Sequence, residues 1–301
     1  MDVDQICFSQ RQRLTFIESV AYWEGAVDRP RVSSAFGVSE NHVTKDFRLY
    51  KNAFPDNLRY DESSRVYRPT HRFKPRIGRG SAEEYLSLLR THVEGQHAAM
   101  VPELGGMVRA DVVPQPQGRI QATVLNLITR AISSRTGLEV SYQSRSSSKP
   151  STRCIWPHAL VFSGIRWHAR AYDEVRNTFI DVVPQRILSA KAFEAPSPSD
   201  PSDDTDWNTQ IDIDVIPARS LSAGQANAIA QEYGMVKVGR TWVWKVRLRK
   251  CIAGYFMYLY RLDLEKDPER LIELRDRSLA KRYQFLTSAN DDPANTSNGT
   301  R

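Results

Sequence analysis

Apolar positions near the N-terminus recur at helical spacing. Leu14, Ile17, Val20 and Ala21 predict a helix over residues 9–23, with Ser9 a candidate N-cap. Asp28 then stands where a cap is wanted and Pro30 in a first turn, so a short helix runs on to Phe36. Gly37 ends it, and Ser39 caps a third helix over 40–50. There Val43, Phe47 and Tyr50 share one face, while Asn41, Thr44, Lys45 and Arg48 share another. Two short arginine-rich strands, 58–60 and 65–68, follow around a polar turn. Ser81 and Glu84 have the spacing of a capping box. Tyr85, Leu88, Leu89 and Val93 form the apolar stripe of the helix they open.

Beyond this helix the period changes. A helix over 120–134 leads through Gly137 into a strand over 138–144, where Leu138, Val140 and Tyr142 alternate with Glu139, Ser141 and Gln143. Residues 145–150 have loop composition. Residues 157–162 and 167–172 flank Ser163-Gly164 and read as a hairpin. On its second strand, alternation puts Trp167, Ala169 and Ala171 on a core face and His168, Arg170 and Tyr172 on the other. Strands over 178–183 and 187–193 suffice to close a small barrel. Residues 195–206, rich in Pro, Ser and Asp, read as a linker. A strand over 209–215, a helix over 222–233 and a strand over 241–248 come next, with Trp242, Trp244 and Val246 on a core face. Two further helices are predicted at 252–262 and 268–282. A short strand is expected within 106–113, and residues 288–301 read as a disordered tail.

Charge adds a function class to this outline. The chain of 301 residues carries a formal net charge of +7. The densest excess is Arg59, Arg65, Arg68, Arg72, Lys74, Arg76 and Arg79 against Asp61 and Glu62. Such a segment suits a polyanion partner, although a solvated linker has the same composition. A short helix, a Gly-containing turn and a second helix with a polar-basic outer face are the parts of a helix-turn-helix. An ordinary helical hairpin has them too, but the basic hairpin that follows occupies the place of a wing. Ser39, Asn41, His42, Thr44, Lys45, Arg48, Arg59, Arg65 and Arg68 are therefore the candidate DNA contacts.

Other classes lose ground. No Gly-rich phosphate loop, His-Glu-x-x-His, Cys-x-x-Cys or Gly-x-Ser-x-Gly occurs, so no catalytic residue, metal or cofactor is expected. Asp212 and Asp214 share a strand face without a third ligand and read as solvated carboxylates. The start of the chain lacks the apolar segment of a signal peptide, and the longest apolar run, 251–260, is too short to span a bilayer. Cys7, Cys154 and Cys251 are single and distant, as in a reducing cytoplasm, and Cys154 reads as a small packed residue rather than a redox sensor.

The run 156–172, preceded by Gly137-Leu138-Glu139-Val140-Ser141-Tyr142-Gln143-Ser144 and followed by Asp181-Val182-Val183-Pro184-Gln185-Arg186-Ile187, resembles a WYL domain. That domain is an Sm-like β-barrel which senses ligands in bacterial transcriptional regulators. The triplet that names the family is here Trp167-His168-Ala169. The Trp-His-x-Arg-Ala-Tyr form resembles the subgroup found beside phage-defence systems, the BREX and CBASS regulators. The resemblance implies a ligand surface lined by Tyr142, Ser144, His158, His168, Arg170 and Arg186. Its cations suit an anionic effector such as a nucleotide or single-stranded nucleic acid. Taken alone, the alternating strand fits structural bonds by His168 and Arg170 at least as well.

The expected fold class is α+β: a winged helix-turn-helix over 1–80, a helical linker over 81–134, an Sm-like WYL barrel over 135–195, a C-terminal αβ dimerisation domain over 207–287, and the tail. The expected function is that of a cytoplasmic, homodimeric regulator, a repressor of a phage-defence operon. It would bind a palindromic operator in double-stranded DNA and be relieved by an effector at the WYL domain, without a membrane partner. The alternative is a nucleic-acid-processing enzyme or accessory subunit with a WYL sensor.

Overall fold

The computed structural model describes residues 6–94, 108–113, 118–265 and 267–283. The chain forms two compact units, Met1–Pro114 and Gln115–Arg301. The first is built from α1 (Phe8–Glu24), α2 (Arg29–Phe36), α3 (Glu40–Ala53), the hairpin β1 (Leu58–Asp61) and β2 (Val66–Pro69), and α4 (Ala82–Glu94). Its core gathers Leu14, Ile17 and Val20 of α1, Val32 of α2, Val43, Phe47 and Tyr50 of α3, and Leu58 of β1. The Asp28 side chain caps α2 and that of Ser39 caps α3. Between them Gly37 holds φ +61°, a left-handed conformation that favours glycine. The Phe47 and Tyr67 rings stack at 3.9 Å, which fixes the hairpin to α3.

Two buried carboxylates brace this small core. Asp46, fully buried on α3, accepts from Arg13 Nε at 2.6 Å and from Gln10 at 2.8 Å. Glu18 on α1 accepts the Tyr50 hydroxyl at 2.8 Å and the backbone amides of Arg76, Ile77 and Gly78. The basic stretch 70–79 is therefore anchored on α1. Ser9 is not the cap of α1. Cys7 holds that position without a side-chain bond, and the Ser9 carbonyl accepts from Arg13 instead.

In the second unit, α5 (Ala122–Ser134) packs across a five-stranded antiparallel sheet made of β3 (Gly137–Tyr142), β4 (Ser151–Phe162), β5 (Trp167–Asp173), β6 (Thr178–Val182) and β7 (Ile187–Phe193). The strand order is β6-β5-β4-β3-β7. No ladder among the described residues joins β6 to β7, so this sheet is not a closed barrel. Gly137 lies against Phe193 so closely that a Cβ would stand 2.4 Å from its ring. A second sheet, β11-β8-β10-β9, contains β8 (Gln210–Pro217), β9 (Val236–Val238), β10 (Thr241–Arg249) and β11 (Ile272–Leu274). It shares a core with α7 (Ala223–Glu232) and α8 (Ala253–Leu259). The short α6 (Thr205–Asn208) precedes β8, and α9 (Ser278–Tyr283) closes the described chain.

Several expectations change. The helix expected over 268–282 is divided. Ile272, Glu273 and Leu274 pair with β8 and are buried, so sheet pairing overrides helical spacing there. The helix expected over 252–262 ends at Leu259, although Leu262 still packs in the core. Residues 108–113 form no strand, and residues 106 and 107 lie outside the described residues, as does 288–301. Trp167 is 47% exposed beside Phe162 rather than in the core, whereas Ala169 and Ala171 are buried as expected. Trp242, Trp244 and Val246 do pack against the core.

Asp46→Ala would leave the Arg13 charge buried without its partner. We expect a loss of about 3–5 kcal/mol in the stability of the first unit, measured by urea denaturation. A loss below 1 kcal/mol would show that the ion pair is dispensable.

Candidate functional site

The sequence of α3 divides it into two faces. Val43, Asp46, Phe47 and Tyr50 are buried, which leaves Asn41, His42, Lys45 and Arg48 exposed and Thr44 half-buried on the opposite side. The Thr44 hydroxyl donates to the Glu40 carbonyl at 2.8 Å, so it is engaged within its own helix. Ser39, at the helix start, is exposed. In the β1–β2 hairpin, Arg59 and Arg65 are exposed, and Arg65 takes a left-handed φ of 56° at the turn. Arg68 lies opposite Arg59 and pairs with Asp61 at 3.1 Å. Hydrogen bonds from Ser63 and Ser64, then Arg68, hold the Asp61 carboxyl well below the usual carboxylate range. The hairpin turn is thus fixed by its own acid, and two of its three expected cations remain free of it.

The expected sensor face is present but covered. His168 and Arg170 point to the same side of β5, and they are 2% and 6% exposed. Arg170 donates to both oxygens of Asp204, at 2.7 and 2.9 Å, and to Asp181 at 3.2 Å. His158 Nε2 lies 3.0 Å from the same Asp204. Asp204 belongs to the segment 195–206 that composition marks as a linker. It is the N-cap of α6, accepting from the Trp207 amide at 3.1 Å. Burial works against its charge, yet the bonds from Arg170 and the Trp207 amide prevail and its pKa lies below the ordinary value. Arg249 of β10 grips the other end of α6, donating to the Trp207 carbonyl and lying over the indole ring at 4.3 Å. The segment is a strap, clamped to both sheets.

Tyr255 of α8 completes the covering. Its hydroxyl donates to Asp181 at 2.9 Å and lies 3.4 Å from His168 Nδ1. With the phenolic proton on Asp181, the bond to His168 requires Nδ1–H as donor. Nε2 is then bare, and it has no partner among the described residues. Burial pushes the His168 pKa down to about 4. Asp181 opposes that shift, while Arg166 and Arg186 add to it. Tyr142 is buried on β3, with its hydroxyl accepting from the Val183 amide and its ring beneath Arg153. Ser144 is half-buried and accepts from the Ser147 amide at 3.0 Å. Arg186 is half-buried beyond the strand ends. The structure thus brings His158, His168 and Arg170 together and leaves Tyr142 and Ser144 in local structural bonds.

Domain comparisons follow the same order along the chain. Residues 9–91 match the winged helix-turn-helix domain of the BrxR transcriptional regulator, 123–192 the WYL domain, and 210–279 the C-terminal dimerization domain of the BrxR transcriptional regulator. The DNA-binding transcriptional repressor CapW of Stenotrophomonas maltophilia is 32% identical over 261 residues, 87% of this chain and 85% of its own. The chain belongs to the WYL-domain regulator family that includes CapW. CapW of Escherichia coli (strain KTE188) is 35% identical over 76% of either chain, and CapW of Pseudomonas aeruginosa 31% identical over 86% of this chain and 85% of its own.

Residues outside these motifs matter as much as those within them. Asp181, Asp204 and Tyr255 carry the contacts of Arg170 and His168, and pattern reading passed over all three. The one local signal was the Asp204-Thr205-Asp206-Trp207 sequence, an N-cap followed by a helical turn. Asp214 pairs with Arg275 at 3.1 Å and Asp212 lies 3.9 Å from Arg247, so both carboxylates are neutralised by cations. Among the described residues no group of three or more His, Cys, Asp or Glu could hold a metal ion, and no helix is long and apolar enough to cross a membrane. Burial and Glu174 push the Cys154 thiol up, away from the reactive thiolate.

The depressed pKa of His168 makes stability depend on pH. Unfolded, the imidazole takes its proton near 6.5; folded, near 4. Between these values the unfolded chain binds more protons, so stability falls as pH falls through the window. We expect up to roughly 3 kcal/mol of this loss to vanish in His168→Gln, compared with wild type by urea denaturation at pH 7 and pH 4.5. Equal pH dependence of the two proteins would refute the buried neutral imidazole.

Proposed function

We propose that the chain is a homodimeric, cytoplasmic repressor of a phage-defence operon that binds a palindromic operator. The observation that carries this reading is the solvent face of α3. Asn41, His42, Lys45 and Arg48 stand exposed on a helix whose other face is locked by Asp46 and the core, beside the exposed Arg59 and Arg65 of the hairpin. In this reading α3 enters the major groove with Thr44 and Ser39 at its edge, and the hairpin arginines, Arg68 included, contact phosphates. Two-fold symmetry would set two such helices about 34 Å, or a multiple of it, apart on the operator.

The organisation we read is a winged helix over 1–80, a helical linker over 81–134, a WYL sensor over 135–195 and a dimerisation domain over 207–287. A helix leading into a five-stranded antiparallel sheet supports an Sm-like sensor. Its effector is anionic, a nucleotide or single-stranded nucleic acid, and acts on the His158, His168 and Arg170 cluster, with Tyr142, Ser144 and Arg186 around it. Because Asp204 already occupies Arg170, the effector works by replacing that carboxylate, which frees the strap. No observation favours the nucleic-acid-processing alternative.

Footprinting on the DNA upstream of the protein's own gene should show a protected, uncleaved, two-fold symmetric site. Arg48→Ala and Asn41→Ala should each weaken binding by ~1–3 kcal/mol. Arg59→Ala or Arg65→Ala, by removing a cation from one phosphate, should each flatten the plot of log K against log salt by about 0.9. Wild-type binding by both α3 variants would remove this helix as the reader.

A second measurement addresses the strap. Asp204→Asn removes the charge that an effector would have to displace. In a reporter driven by the protein's own promoter, it should raise expression without any signal. A folded Asp204→Asn protein that represses and responds like wild type would separate the strap from regulation.

A further inference from the structure

The strap also covers a cavity that the Arg170 network does not use. Its volume is about 240 Å³, and it opens between the end of α5, β4, β6 and residues 197–201. Three rings line it, those of Trp156, His158 and Phe179, with the His158 and Phe179 centroids 5.5 Å apart at 85°. The walls are held: Trp156 Nε1 donates to the Ala195 carbonyl at 3.0 Å, and His158 is held by Asp204. Ser197 and Ser199 contribute the strap side.

At the rim stands Arg135, the residue that ends α5. It holds φ 55° and ψ 42°, the left-handed conformation for which helices usually end in glycine or asparagine. An arginine is a costly choice there unless its side chain serves a purpose. Its guanidinium donates no hydrogen bond among the described residues, and its charge acts on Asp200 of the strap, whose pKa it helps to lower. An exposed cation thus stands at the mouth of a ring-lined cavity.

From this arrangement we propose that the cavity binds one nucleotide unit, the base among the rings of Trp156, His158 and Phe179 and the phosphate on Arg135. Stacking on aromatic side chains accepts any base, and guanidinium pairs bidentately with phosphate. The size limits the occupant. Pockets enclosing drug-sized ligands begin near roughly 300 Å³, so this one admits a single base and not a longer stretch of chain. The proposal rests on the reading of the WYL sheet as a sensor of anions, and it gives that sensor its ligand. A base lodged beneath residues 197–201 would push on the strap three residues from Asp204, which links occupancy to the Arg170 contact.

Calorimetric titration of the full-length protein tests the site with adenosine monophosphate, thymidine monophosphate, adenosine and inorganic phosphate. Both monophosphates should saturate one site per chain, with adenosine and phosphate each at least about tenfold weaker. Arg135→Gly removes the guanidinium while supplying the residue this backbone prefers, so the melting temperature should hold or rise. Its affinity for the monophosphates should fall at least about tenfold, towards that of adenosine. Arg135→Asn, also tolerant of this conformation, should behave alike. No saturation by either monophosphate, phosphate binding as tightly as nucleotide, or undiminished binding by both Arg135 variants would each overturn the proposal. Repeating the titrations with operator DNA separates it from the sensor reading. Nucleotide binding through Arg135 without any change in operator affinity would keep the site and remove the sensor. An operator response to another anion that Arg135→Gly leaves intact would keep the sensor and remove the site.

Discussion

Arg170 is the constraint around which the second unit is arranged. A guanidinium 6% exposed on the middle of a sheet cannot be neutralised by losing its proton, so it must be met by carboxylates held in place. Asp181 on the neighbouring strand supplies one, and Asp204 the other, in a two-oxygen contact. The demand of one buried charge thus fixes the course of residues far along the chain. It turns a segment with the composition of a spacer into a strap, and it sets α6 and β10 against the five-stranded sheet. His158 and Tyr255 extend the same network, each by sharing one of those two acids.

The first unit uses buried charge differently. Asp46 and Arg13 are both inside, and their pairing sets the angle at which α3 leaves the core. That angle decides which residues of α3 remain outside, so the polar-basic face owes its presentation to an ion pair on the opposite side of the helix. Association of this kind is directional, since an apolar contact alone would let the helix roll about its axis.

Much of this was legible in the sequence, and the failures share a cause. Helices with sharp caps were readable because Asp28, Ser39 and Ser222 act on their own neighbours. The hairpin 157–172 was readable because alternation is local. What escaped was decided by distant partners: β11, which pairs with β8 despite helical spacing; Asp204, whose Pro- and Ser-rich surroundings conceal its contact with Arg170; and Trp167, which alternation assigned to the core but which lies at a strand end. The candidate cluster of His158, His168 and Arg170 was found from its chemistry. Its covering was not, because a strand pattern states which side a residue faces and not what lies there.

The carboxylate of Glu18 has a consequence for how this protein can change over generations. It holds the basic stretch 76–78 through three backbone amides, contacts that any residue except proline supplies. The path of the loop is therefore independent of its side chains. Arg76 and its neighbours are free to drift in charge and length while the backbone keeps its course, and Glu18 itself is not. A regulator facing new target sequences could vary its outer contacts there at little cost to folding, with the fixed point hidden one helix away.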